Sequence, residues 1–93
     1  MSQMMFKPAQ DLTIYHVAAL KQQLEQYLAQ SPSDMILDLS AVQDMDSAGL
    51  QFVLLTQQEA KRRQLAHALH HPTVAIKQQL AFLRLTPVFT FEE

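Results

Sequence analysis

The sequence predicts one α/β domain over residues 1–93, with a mixed central sheet whose later strands are parallel, flanked by about three helices. Two observations carry this expectation. Segments with apolar residues three and four apart alternate along the chain with short apolar runs bounded by turn residues, the mark of helices alternating with strands. The alternation runs strand, a hairpin, then helix, strand, helix, strand, helix, strand, and right-handed crossovers then place helices against a sheet.

Met4 to Phe6, ended by Pro8, reads as a first strand, and Leu12 with Ile14 continues the pairing after a turn at Gln10 and Asp11. From Thr13, which is placed to cap, Val17, Leu20, Leu24, Tyr27 and Leu28 mark one face of a first helix ending near Ser31-Pro32. Met35 to Leu39 is a largely buried strand. A second helix runs from Ser47 to about Arg63 with Leu50, Val53, Leu54 and Ala60 on its inner face, while Phe52 and Leu55 fall beside that stripe, as core or as an apolar patch. Leu65 to Leu69 forms another strand, His70-His71-Pro72 a turn, Thr73 to about Leu83 a third helix with Ile76, Leu80 and Leu83 inward, and Val88 to Phe91 a closing strand.

Hydrophobic residues are 48% of the chain and charged residues 17%, a globular balance. Seven Lys and Arg and a formal charge of −2 argue against a nucleic-acid partner, which needs several phosphates neutralised. Without cysteine there is no disulfide, thiolate metal site or thiol nucleophile. The amino terminus lacks a basic region followed by an apolar run, and the longest apolar runs are four residues, so the expectation is a cytoplasmic protein without membrane insertion.

Chemistry concentrates in "DLSAVQDMDSAGLQ", residues 38–51, which holds three aspartates, two serines and the chain's single glycine. A helix opening at Asp46-Ser47 exposes unpaired amides and a partial positive charge, so either side chain suits a cap. Ala48 and Gly49 are small enough for another backbone to approach the helix start, or Gly49 serves close helix-to-strand packing. Asp38, Asp44 and Asp46 are oxygen donors of the kind magnesium takes, but strand alternation turns Asp38 away from the others, and no metal is expected. His67, His70 and His71 lack a fourth ligand for zinc, and the Gly-x-Ser-x-Gly elbow of a serine hydrolase is absent. One glycine cannot build a phosphate-cradling loop, so neither catalytic residue nor cofactor is expected.

The run "DLSAVQDMDSAGLQFVLL" resembles the signature of the STAS domain, the sulphate-transporter and anti-sigma-factor-antagonist family. The matching positions are Asp38, Leu39, Ser40, Val42, Met45, Asp46, Ser47, Ala48, Gly49 and Leu50. More weakly, "DLTIYHVAALKQQL" is similar to small bacterial members found with chemotaxis or anti-sigma systems. The resemblance implies a non-catalytic regulator whose motif serine, here Ser47, is phosphorylated by a partner serine kinase and dephosphorylated by a phosphatase. The expected docking surface for a kinase, anti-sigma-type or chemotaxis protein is Asp46, Ser47, Ala48, Gly49, Gln51, Phe52 and Leu55, and the expected state is a monomer or weak homodimer. Other relatives are constitutive adaptor subunits, for example in lipid transport, so one family accommodates both a switch and a fixed subunit. The chain departs from the family pattern at Leu85-Thr86-Pro87 and in the histidine-rich "AHALHHP".

Overall fold

In the computed structural model, which describes residues 5–92, three strands lie side by side in chain order: β1 (Asp34–Asp38), β2 (Ala66–His70) and β3 (Phe91–Glu92). Leu37 is in register with Leu69, and Leu69 with Phe91, all in parallel pairing. Parallel neighbours need a crossover. Helices α2 (Ser47–Arg62) and α3 (Val74–Phe82) supply the two, and α1 (Val17–Ala29) precedes β1. The α/β class is as expected, but every pairing among the described residues is parallel, and the antiparallel element of a mixed sheet is not found among them.

The expected hairpin is replaced by two parallel bridges. Phe6 pairs with Leu37 at the free edge of β1, donating its amide to Ile36 O (2.8 Å) and accepting from Asp38 N (2.9 Å). Met4 lies outside the described residues. Leu12 instead bridges Met45 beyond the end of β1, because its fully buried side chain is needed there, while Ile14 is 62% exposed and takes no part. Thr13 does not cap α1. His16 N donates to Thr13 O (2.9 Å), closing a turn that delays the helix to Val17.

The core gathers Leu20, Leu24 and Leu28 of α1 against α2 and the sheet. The inner face of α2 is Gly49, Phe52, Val53, Thr56 and Ala60, with Leu50 and Leu54 flanking it. Phe52 is therefore core at 1% exposure, its ring 6.1 Å from that of Phe6, which meets Tyr27 edge-on at 5.9 Å. Of the two alternatives for this residue, core is the one found, and an exposed apolar patch is not. Leu50, Phe52 and Leu54 are alike in hydropathy, and only packing decides which is innermost. Ile76 and Leu80 of α3 are buried, but Leu83, just past its end, is 48% exposed. The closing strand starts three residues later than expected, since Thr86–Val88 forms a 3₁₀ turn with Pro87 inside it.

The scarcity of glycine has a structural counterpart at the helix ends. Ser31, Gln64 and Arg84 each follow a helix in the left-handed region (φ 52°, 60° and 58°), where glycine is usual. Two of these ends are complete Schellman closures: Leu65 N donates to Ala60 O and Gln64 N to Lys61 O, and Leu85 N to Leu80 O with Arg84 N to Ala81 O. Leu65 and Leu85 pack onto the core there. Burial of these leucines and saturation of the last carbonyls outweigh the strain of roughly 1–2 kcal/mol per residue. Replacing Gln64 with glycine relieves that strain at an entropic cost, and a net gain of about 0.5–1 kcal/mol is expected in urea denaturation. A loss of stability would mean that the Gln64 side chain itself holds the turn.

Candidate functional site

The loop from β1 to α2 is shaped by carboxylates that bind backbone amides. Asp38 Oδ1 accepts from Ser40 N (2.9 Å), and Asp44 Oδ1 from Met45 N (2.9 Å). Asp11, brought from the segment before α1, accepts from Gln43 N (2.9 Å) and Asp44 N (3.3 Å). Burial raises the pKa of Asp38, but hydrogen bonds from Ser40 and the nearby Lys7 and His71 outweigh it and hold the carboxyl below its ordinary value. The acidic cluster is thus a template for the loop backbone. Among the described residues, no three His, Cys, Asp or Glu side chains come together as metal ligands.

The helix start is capped by Asp46 and not by Ser47. Asp46 Oδ1 accepts from Gly49 N (2.9 Å), and Oδ2 accepts from Ile14 N (2.8 Å), so one carboxylate joins α2 to the segment before α1. The amides of Ile14 and Gly49 hold its pKa below the ordinary carboxylate range. Gly49 is buried with the Leu12 carbonyl where its side chain would be, and Leu12 is itself tied to the loop through Asp44 O and Asp46 N (both 3.0 Å). Close internal packing is therefore what Gly49 provides. Ser47, the first helical residue, is exposed.

Two open clefts flank Ser47 and Ala48. One, about 780 Å³, lies between the start of α2 and α3, with Met45, Leu50, Ala75, Phe82 and Leu83 as apolar walls and Asp44, Asp46 and Ser47 also lining it. Gln79 closes its side by donating Nε2–H to Met45 O (3.0 Å). The other, about 490 Å³, lies between α1 and α2 and includes Ile14, Val17, Ala48, Gln51 and Leu55.

The family model described as "Mlab, STAS domain" matches residues 7–89. The chain belongs to the STAS domain family. Its fold is similar to the crystal structure of a candidate anti-sigma factor antagonist from Thermotoga maritima, with a TM-score of 0.83 and 19% identity, covering 96% of this chain and 77% of that one. An NMR structure of that Thermotoga protein gives a TM-score of 0.78 at 19% identity, covering 96% of this chain and 72% of that one. No curated protein matches.

In this STAS domain, Asp46, Ser47, Ala48, Gln51 and Leu55 share the edge at and beyond the start of α2, while Gly49 and Phe52 are buried, Phe52 still bordering the α1–α2 cleft. Residues not singled out in the sequence complete the surroundings: Asp11 and Ile14 before α1, and Ala75, Gln79 and Phe82 on α3. For α3 a signal existed, since "VAIKQQLAF" is apolar beyond the Ile76 and Leu80 face, and Phe82 is 87% exposed. Lys61-Arg62-Arg63 is partly engaged locally, Arg62 and Arg63 both reaching Glu59 (2.7 and 3.4 Å). Among the described residues no helix is long and apolar enough to cross a membrane.

Proposed function

We propose that this STAS domain is a non-catalytic, cytoplasmic signalling regulator of the anti-sigma-factor-antagonist type. It binds a partner serine kinase, anti-sigma-type or chemotaxis protein along the edge of α2 and is switched by phosphorylation of Ser47. The observation that carries the reading is the division of labour at the helix start: Asp46 holds the cap, which leaves the exposed Ser47 available for modification without loss of helix capping. A phosphate there adds about −1.5 to −2 charges beside Asp44 and Asp46. The amides of Gly49 and Ile14 already bind Asp46, so the phosphate changes the surface between the two clefts more than it changes the fold.

The test incubates the protein with its candidate kinase and ATP, maps phosphate by mass spectrometry, and compares Ser47→Ala with Ser47→Asp in partner capture. Phosphate on Ser47 is expected, with capture kept by Ser47→Ala and reduced at least tenfold by Ser47→Asp. Both variants should unfold within about 0.5 kcal/mol of the parent, as surface substitutions do. Unmodified Ser47 together with unchanged capture by both variants would sink the switch. That outcome would favour the constitutive adaptor subunit, for example of a lipid-transport complex, a reading supported by the exposed Val74 and Phe82, since obligate interfaces are the more hydrophobic ones.

A further inference from the structure

The histidine pair at the end of β2 takes no part in the surroundings of Ser47. Four non-glycine residues among the described ones have left-handed backbone, and three of them close helices, but the fourth, His71 (φ 51°), follows a strand. Consecutive side chains of an extended chain point to opposite faces, so this turn, strained for a residue with a Cβ, is what brings two neighbouring imidazoles together. The rings of His70 and His71 have centroids 3.9 Å apart and planes inclined by 57°. Nδ1 of His70 is buried without a hydrogen-bond partner, while His71 is exposed. Backbone bonds fix both residues: Leu39 N donates to His70 O (2.9 Å) and His71 N to Glu92 O (3.2 Å). Asp38, the register partner of His70 on β1, is close enough to His71 for their charges to interact.

We infer that His70 and His71 together bind a divalent late-transition-metal ion, copper(II) by preference, through one ring nitrogen each. Two imidazoles that hold one ion in neighbouring positions, each nitrogen about 2 Å from it, have centroids roughly 4–4.5 Å apart, so this pair needs to open only slightly. In the tautomer with its proton on Nε2, the orphaned Nδ1 of His70 offers a lone pair that has no hydrogen bond to give up. Imidazole suits copper, nickel and zinc, and at a given nitrogen site copper(II) binds tightest. Among the described residues no third histidine or carboxylate joins the pair, so a closed zinc site is not built and the remaining positions fall to water. His67 is engaged elsewhere, with Thr56 of α2. Asp38 adds negative charge beside His71, offset in part by Lys7. The ion ties the turn before α3 to the carboxyl end of the sheet, where Asp38 begins the loop leading to Ser47.

The test titrates copper(II) into the full chain, followed by calorimetry and by the loss of amide NMR signals near a paramagnetic ion, with zinc and magnesium run beside it. One equivalent of copper is expected to erase the signals of His70, His71 and Asp38 first, to bind at least tenfold tighter than zinc, and to leave magnesium without effect. His70→Gln and His71→Asn should each weaken copper at least tenfold, whereas His16→Gln should not change it. Asparagine tolerates left-handed backbone, so His71→Asn removes the imidazole and keeps the turn. The blocked peptide Ala-Leu-His-His-Pro-Thr has the same two histidines without the fold and should bind at least tenfold more weakly. Equal affinity for peptide and protein would show an unstructured pair of histidines only and overturn the inference. So would signals lost first at the amino terminus, affinity unchanged in both variants, or absence of binding. None of these outcomes depends on whether Ser47 is modified.

Discussion

Gly49→Ala is expected to destabilise the protein by more than about 3 kcal/mol, a large share of the 5–15 kcal/mol typical of such domains. A Cβ at this position would overlap the carbonyl group of Leu12 and come within 2.8 Å of the Leu12 Cβ. The carbonyl belongs to backbone and cannot rotate away as a flexible side chain would. It also accepts from Asp46 N (3.0 Å), so relief by separation breaks this bridge and exposes a side chain that is otherwise fully buried. Since φ of Gly49 is not positive, conformational freedom is not the reason for glycine here. Urea denaturation of Gly49→Ala and Gly49→Ser measures the effect. A cost below about 1 kcal/mol for alanine would show that the segment around Leu12 yields easily.

The second large effect concerns pH. Thr56, fully buried on α2, uses its one hydroxyl hydrogen on Val53 O (2.6 Å), so its contact with His67 Nε2 (3.0 Å) requires the histidine to donate. The other ring nitrogen, Nδ1, is buried without a hydrogen-bond partner, and the ring lies 6.3 Å from that of Phe89. A second proton would put charge and an unpaired N–H in this place, and burial lowers the pKa from 6.5 to about 4. Between those values the unfolded chain binds more protons than the folded one. The stabilisation is therefore complete above pH 6.5 and declines as pH falls toward 4. From pH 7.5 to pH 5 the loss is about 1–2 kcal/mol, allowing for partial solvent access to the ring. Denaturation midpoints at the two pH values should differ clearly less in His67→Gln than in the parent. An equal pH response in both would remove His67 from the explanation.

Much of this is legible in the amino-acid sequence. Periodicity located all three helices and two of the strands, because spacing of three and four against short apolar runs follows directly from helix and strand geometry. The motif placed Ser47 at a helix start, as it is. What failed to be legible was local competition: Asp46 and Ser47 are both good caps, and Thr13 is a good cap residue that does not cap, because a turn through His16 delays the helix. Phe52 and Leu55 could not be sorted into core and surface, since both lie beside the apolar stripe of α2 and only the packing of distant elements decides which turns inward.

By itself, the sequence determined the α/β order of elements, the family signature, and a small-residue acidic segment at the junction of β1 and α2. These follow from neighbours in the chain. The tertiary structure alone decided that Asp46 joins two segments 32 residues apart, that Gly49 is needed for the Leu12 carbonyl, and that α3 makes a wall of a cleft beside Ser47. Such facts depend on which distant backbone fills the space next to a residue, and close packing settles that only when all the elements are in place.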